Sequence, residues 1–118
     1  MVYERIFARL NDSDSETRLD ALKTMVEKGW LELKNNAMDV NNHIHTWYSF
    51  SPYSPTKALA LAIQSGLSTA GIMDHDSVAG VREFITGGKI TGLPVTSGIE
   101  LRVDMSNTVL NGKRINNP

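Results

Sequence analysis

Residues 54–76 read SPTKALALAIQSGLSTAGIMDHD, and this segment carries the clearest indication of the fold class. Ser54 is a good N-cap and Pro55 suits the first helical position, so we predict a helix that runs through small and aliphatic residues to Gly66. Residues 68–73 are apolar enough to form a strand that is buried on both faces. A helix followed directly by such a strand is typical of a βαβ unit.

The segments on either side repeat this alternation of strand and helix. Residues 39–45 alternate residue by residue, which predicts a strand before the first of these helices. Asp76 or Ser77 is placed to cap a second helix, and we expect the glycine pair at 87–88 to end it. Residues 93–103 predict a third strand. The order β, α, β, α, β therefore predicts an α/β fold with parallel strands.

Two helices are predicted before this unit. Residues 1–10 form a short helix with apolar side chains on one face. In the next helix Ser13 and Glu16 match a capping box, and Gly29 stands where a left-handed residue would end it. This helical pair is interpreted as a packing element without chemistry.

Composition excludes several classes of protein. The chain has 118 residues, 41% of them hydrophobic and 21% charged, which is typical of one globular domain. A net charge of -1 without a basic cluster does not favour a duplex nucleic acid as partner. No apolar run approaches the ~18 residues of a membrane span and no signal peptide is evident, so a cytoplasmic protein without a membrane partner is expected. Without cysteines, a metal site must use histidine and carboxylate ligands.

The three histidines are placed as metal ligands would be. His43 and His45 lie two residues apart at the end of the first strand, so both imidazoles point to one side of the sheet. His75 follows the second strand and Glu100 lies near the end of the third. Parallel strands end at a common edge, where α/β proteins place their chemistry. These residue types suit zinc, manganese or iron.

Each of these features also has an ordinary structural alternative. A histidine pair is often a surface or hydrogen-bonded core feature, residues 74–76 can be a helix cap with two solvated acids, and Glu100 alone would be a surface acid. Three successive strand ends that each carry a ligand favour the metal site.

Other residues carry weaker signals. Ser49 can hydrogen-bond a phosphate or simply shape a turn, and Arg102 can bind an anionic substrate or form a plain salt bridge. A core or lid role is favoured over nucleic-acid stacking for the aromatic cluster, which consists of Trp47, Tyr48, Phe50 and Tyr53. The dipeptide at 111–112, Asn-Gly, predicts a hairpin turn.

Taken together, three short motifs resemble those of the PHP (polymerase and histidinol phosphatase) superfamily. NHIHT at residues 42–46, followed by Ser49 and Pro52, is similar to the first motif of that family. MDHD at residues 73–76 resembles the second motif, and SGIE at residues 97–100 resembles the glycine-x-glutamate motif of the third strand. The spacing between the motifs is also that of the family, and the resemblance extends over roughly residues 39–104.

The resemblance implies a distorted (β/α)7 TIM-like barrel that holds two or three divalent metal ions (zinc, manganese or iron) at its strand ends. His43 and His45 would bind one ion, Glu100 would bridge two, and His75 would bind a neighbour. Asp74 would be a catalytic acid near the site that orients His75 or contacts bound water. The implied reaction is hydrolysis of a phosphate ester by a metal-activated water, on a phosphorylated small molecule or a nucleotide.

The chain also departs from the family pattern. Asn41 stands where the family often has aspartate, and the chain has Phe50 and Ser51 where a further histidine or aspartate is common, which puts a third metal in doubt. The later motifs of the family do not occur. A complete barrel needs about 200 residues or more.

We therefore expect an N-terminal helical extension over residues 1–36 and the N-terminal part of a truncated PHP domain over residues 37–118. Such a fragment would have little or no activity. Its exposed sheet edges would offer a route to a homo-oligomer.

Two other functions stay open. An amidohydrolase-type barrel also begins with His-x-His on its first strand and would cleave C–N or C–O bonds. A non-catalytic remnant of a PHP domain would instead serve as an interaction or structural module.

Overall fold

The computed structural model describes residues 2–112. Its order of elements is two helices followed by a strict alternation of strand and helix. The elements are α1 (Val2–Arg9), α2 (Ser15–Glu27), β1 (Asp39–Ile44), α3 (Pro55–Gln64), β2 (Leu67–His75), α4 (Val81–Thr91) and β3 (Val95–Glu100).

The three strands form one parallel sheet in the order β1-β2-β3. The predicted α/β class and the parallel pairing are confirmed. Within the described residues β2 is the central strand, and β1 and β3 each have one free edge. No helix in this part of the chain is long and apolar enough to cross a membrane.

All four helices share one hydrophobic core with the sheet. Helices α3 and α4 pack against β2 and β3 respectively, and α2 packs against both α4 and α3. Core residues come from both sides of the boundary expected at residue 36, and they include Leu10, Leu22, Met25, Leu59, Ile63, Ile72 and Phe84. Burying each such side chain stabilises the fold by about 1.5–3 kcal/mol. The N-terminal helices are therefore packed into the same core as the strands.

The predicted end of α2 is confirmed and its predicted start is wrong. Gly29 has a left-handed φ of 71°, directly after the C-cap. At the other end Asp14, not Ser13, is the N-cap, and it accepts hydrogen bonds from Thr17 N and Oγ1 at 2.9 and 2.8 Å. These hydrogen bonds lower the pKa of Asp14.

Both predicted boundaries of α4 are wrong. Its N-cap is Gly80, which has no side chain to cap with. Of the two predicted caps, Asp76 is paired with Arg102, and Ser77 accepts from the backbone N–H of Ala79, before the helix begins. The helix also continues through the glycine pair at 87–88 and ends at Gly92, whose φ is 83°. Since glycine ends a helix only where φ turns positive, a glycine pair that keeps helical angles does not break it.

The strands also differ from their predicted bounds. β3 ends at Glu100, so Arg102 is not on the strand with it. β1 ends one residue before His45 and carries a bulge between Asn41 and Ile44. Turns and irregular backbone fill residues 101–112 with no strand, and the second half of the expected hairpin lies outside the described residues.

Candidate metal centre

The predicted ligands lie together at the carboxyl end of the sheet. His43 is near the end of β1 and His45 directly follows that strand, while His75 and Glu100 are the last residues of β2 and β3. His75 and Glu100 are direct partners in the parallel register. Parallel pairing therefore brings three separate segments of the chain to one point.

The distances between these side chains are short. Nε2 of His43 lies 2.6 Å from Oε1 of Glu100, and Nε2 of His75 lies 3.6 Å from the same oxygen. The ring centroids of His45 and His75 are 4.7 Å apart. One ligand atom from each of His43, His45 and Glu100 falls within 4.8 Å of the others. Donors bound at about 2.0–2.2 Å from one ion lie about 3–4 Å apart. Small adjustments of these side chains would therefore bring their ligand atoms around one ion.

A backbone contact sets the tautomer of His45. Its Nδ1 lies 2.7 Å from the carbonyl oxygen of Met73. A carbonyl oxygen only accepts, so Nδ1 donates and the neutral ring keeps its lone pair on Nε2. Metal-binding histidines are commonly oriented in this way, by a backbone carbonyl on the other ring nitrogen.

His75 faces Glu100 with Nε2 and leaves its other ring nitrogen without a partner in the described part of the chain. Its Nδ1 is buried and has no hydrogen-bond partner within residues 2–112. A buried polar atom without a partner is costly and calls for a specific explanation. His45 and Glu100 lie beside this ring, and together with His43 these residues form a donor set that fits zinc, manganese or iron.

The bulge in β1 shapes the site, and strict alternation of residues 39–45 did not predict it. It inserts one extra residue between the pairs Asn41–Ala70 and Ile44–Ile72. Oδ1 of Asn41 accepts a hydrogen bond from the backbone N–H of His43 at 2.9 Å. Bulges often re-aim side chains next to active sites.

Gly71 permits this bulge, and sequence reasoning missed its role. A Cβ at residue 71 would lie 2.8 and 2.9 Å from the backbone Cα and O of Asn42. Only glycine allows so close an approach of β1 to β2. A glycine inside a strand was the signal that could have identified it.

Asp74 has different partners from those expected of it. Its carboxylate, 1% exposed, accepts hydrogen bonds from Thr46 N at 2.6 Å, Thr46 Oγ1 at 2.7 Å and Ser49 Oγ at 2.7 Å. Successive strand residues point to opposite faces, so Asp74 and His75 project away from each other. Asp74 thus anchors the loop that follows His45. The hydroxyl group of Ser49 donates its hydrogen bond to Asp74 and is part of this anchor.

Arg102 is also separate from the cluster. Its Nε donates to Oδ2 of Asp76 at 2.6 Å, and its backbone N–H donates to Oδ1 at 3.0 Å. These two hydrogen bonds lower the pKa of Asp76 below its usual range. Of the two interpretations given for Arg102, the structure shows the salt bridge.

Comparison with known proteins yields one partial similarity. The chain is 30% identical over 59 residues to a 5′-3′ exoribonuclease of Haemophilus influenzae, and the aligned part is 50% of this chain and 22% of that protein. The chain therefore corresponds to less than a quarter of this relative. No family profile matches the chain. No solved structure matches it either.

Proposed function

We propose that this chain is part of a metal-dependent phosphoesterase of the PHP type. The observation that carries the proposal is the convergence of His43, His45, His75 and Glu100 at the carboxyl ends of three parallel strands. The partial similarity to an exoribonuclease supports it, because cleavage of RNA is hydrolysis of a phosphate ester. An amidohydrolase has no comparable support.

The proposed roles follow from the contacts. His43, His45 and Glu100 would hold one ion, and His75 would complete this site or bind a second ion beside it. A divalent ion at such a site supplies a water of lowered pKa and neutralises charge on phosphoryl oxygens. The carbonyl of Met73 orients the ring of His45 so that the lone pair of Nε2 is free to bind a metal ion. Oε1 of Glu100 contacts both His43 and His75. No protein nucleophile is required, and the cluster offers none.

The finer fold assignment belongs to the same proposal. The order β1-α3-β2-α4-β3 would form the first part of a (β/α)7 barrel, and further strands would then pair with the free edges of β1 and β3. Further strands of the same protein or a second copy of this chain could occupy these edges. Molar mass in solution, measured by light scattering, distinguishes a second copy from a monomer.

Metal content is the first test of the function. The purified protein dialysed against Zn²⁺ or Mn²⁺ should retain at least one equivalent, and His43→Ala and Glu100→Gln should each lower the affinity about 10- to 100-fold. Glu27→Gln is the matched control, since Glu27 is exposed on α2 away from the cluster. Less than a tenth of an equivalent, unchanged by His43→Ala, would favour the non-catalytic interaction module.

Activity is the second test. Because a fragment of the domain is expected to have little activity, hydrolysis of a chromogenic phosphate mono- or diester with added Mn²⁺ should be slow at most. Chelation or His43→Ala should abolish this hydrolysis. Turnover of simple amides without turnover of phosphate esters would favour the amidohydrolase instead.

A further inference from the structure

An exposed aromatic ring stands beside the metal-binding cluster. Phe50 has 69% of its surface exposed. Its ring centroid lies 4.7 Å from that of His75 and 6.4 Å from that of His45, nearly perpendicular to both rings. The sequence favours a core or lid role for the aromatic cluster over nucleic-acid stacking, and the exposure of Phe50 excludes the core role for this residue. An apolar ring left open to solvent at a polar site is a candidate contact for a ligand.

The loop that carries Phe50 is firmly held. The carbonyl oxygen of Thr46 accepts from the backbone N–H of Ser49 at 2.9 Å and of Ser51 at 3.3 Å. Oγ of Ser49 donates to the buried carboxylate of Asp74, which also binds Thr46. Phe50 thus lies between two hydrogen-bonded residues of an anchored turn. Its ring is already held next to His75, so ligand binding would not carry the entropic cost of ordering the loop.

We infer that Phe50 is the stacking surface for the base of a nucleotide whose phosphate lies at the His43–His45–His75–Glu100 cluster. This inference rests on the proposed phosphoesterase function. One sugar ring separates phosphate and base in a nucleotide, so a base can reach a ring that touches His75. Every base has a π-face, and stacking on an aromatic side chain is largely independent of base identity.

The charge of the chain does not favour a nucleic-acid duplex as the ligand. The net charge is -1, and Arg102 is paired with Asp76. Recognition through many phosphate contacts is therefore not favoured, whereas one phosphate group would be held by the cation of the cluster and the base would stack on Phe50. The ligand class is a nucleoside monophosphate unit, either free or at the end of a single strand.

Three ligands test the inference on the Zn²⁺-loaded protein by calorimetry: adenosine 5′-monophosphate, ribose 5-phosphate and 5′-phosphorylated tetraadenylate. The first two share sugar and phosphate and differ in the base. Adenosine 5′-monophosphate should bind at least about fivefold more tightly than ribose 5-phosphate, and its adenine protons should shift upfield in NMR spectra. Phe50→Leu, which keeps an apolar side chain, should remove this difference, and Phe50→Trp should keep it.

The outcomes separate the two proposals. Equal affinity for the first two ligands, or a preference that survives Phe50→Leu, overturns the stacking role while the proposed function stands. Failure of all three ligands to bind the Zn²⁺-loaded protein overturns both. Tighter binding of the tetraadenylate than of the mononucleotide identifies a single strand as the source of the unit, and equal binding identifies a free nucleotide.

Discussion

At the scale of single residues, the segment Met73–Asp74 determines the environment of His45 from two directions. The carbonyl of Met73 accepts from Nδ1 of the ring, and the carboxylate of Asp74 accepts from the backbone and side chain of Thr46, the next residue. One strand therefore orients the ring and also holds the backbone that carries it. Buried hydrogen bonds to a charged group contribute about 1.5–3 kcal/mol each, and leaving one unmade is costly.

Asp74→Asn tests this anchoring. The amide oxygen can still accept from Thr46 N and Ser49 Oγ, but the NH₂ group would stand where Thr46 Oγ1 now donates, and the negative charge would be lost. We therefore expect the free energy of unfolding to fall by about 1.5–3 kcal/mol. Hydrogen exchange of the Thr46 amide should also accelerate. Denaturant unfolding and exchange measured by NMR provide the two readouts.

Asp76→Asn is the matched control for that substitution. Asp76 is two residues away and its pair with Arg102 is largely exposed, so its loss should change stability much less. Equal effects of the two substitutions would contradict the anchoring role of Asp74.

At the scale of elements, helix α4 shows how glycine permits close packing. A Cβ at Gly87 would lie 2.6 Å from Cδ2 of the fully buried Leu59 on α3, and one at Gly88 would lie 2.9 Å from Cγ2 of Val95 on β3. The pair thus marks the side of α4 that faces its neighbours. Helix propensity alone disfavours glycine by about 1 kcal/mol, but the close approach of α3 and β3 outweighs that preference.

Gly87→Ala should therefore destabilise the protein although alanine is the better helix former. We expect a net loss of up to about 2 kcal/mol, from an overpacking cost of about 1–3 kcal/mol less a gain in helix propensity of about 1 kcal/mol. Thr86→Ala, the preceding residue on the same helix, should cause no such loss. Thermal unfolding of the two variants makes the comparison, and a stabilised Gly87→Ala would show that α3 and α4 can separate at little cost.

At the scale of the whole molecule, a buried ion pair joins three helices. Arg18 on α2 donates to both carboxylate oxygens of Glu83 on α4, with Nε at 2.9 Å from Oε2. Thr56 on α3 donates to the same carboxylate from N at 3.1 Å and Oγ1 at 2.7 Å. Arg18 also binds the carbonyl of Asp12 at 2.7 Å and lies 4.8 Å from the ring of Trp47. The hydrogen bonds that Arg18 donates to the carboxylate of Glu83 raise the pKa of Arg18.

Removing one partner of this pair should be severe. Arg18→Met would leave the carboxylate of Glu83 buried without its cation, and we expect a loss of about 3–5 kcal/mol, a large share of the 5–15 kcal/mol that is typical of a domain. Arg9→Met on exposed α1 is the control and should be nearly neutral. Chemical denaturation measures both variants.

The double variant Arg18→Met/Glu83→Met separates loss of the pair from the cost of an unpaired charge. It should be more stable than Arg18→Met, because no buried charge remains. A double variant that is less stable than the single one would contradict this explanation.

Features that depend on near neighbours could be predicted from the sequence alone. Ser54 and Pro55 begin α3, Gly29 follows the end of α2, and alternation of strand and helix determined the parallel α/β class, because caps, turns and periodicity act over a few residues. The placement of His75 and Glu100 at neighbouring strand ends follows from the same alternation.

Contacts between groups that are distant in the sequence could not be predicted in this way. Helix α4 continues through the glycine pair at 87–88, and Asp74 accepts hydrogen bonds from Thr46 and Ser49. Arg18 is buried against Glu83, 65 residues away. Such pairings depend on how helices and strands pack in three dimensions. The sequence gives the chemistry of each side chain but not its partner, because the partner depends on how the whole core packs.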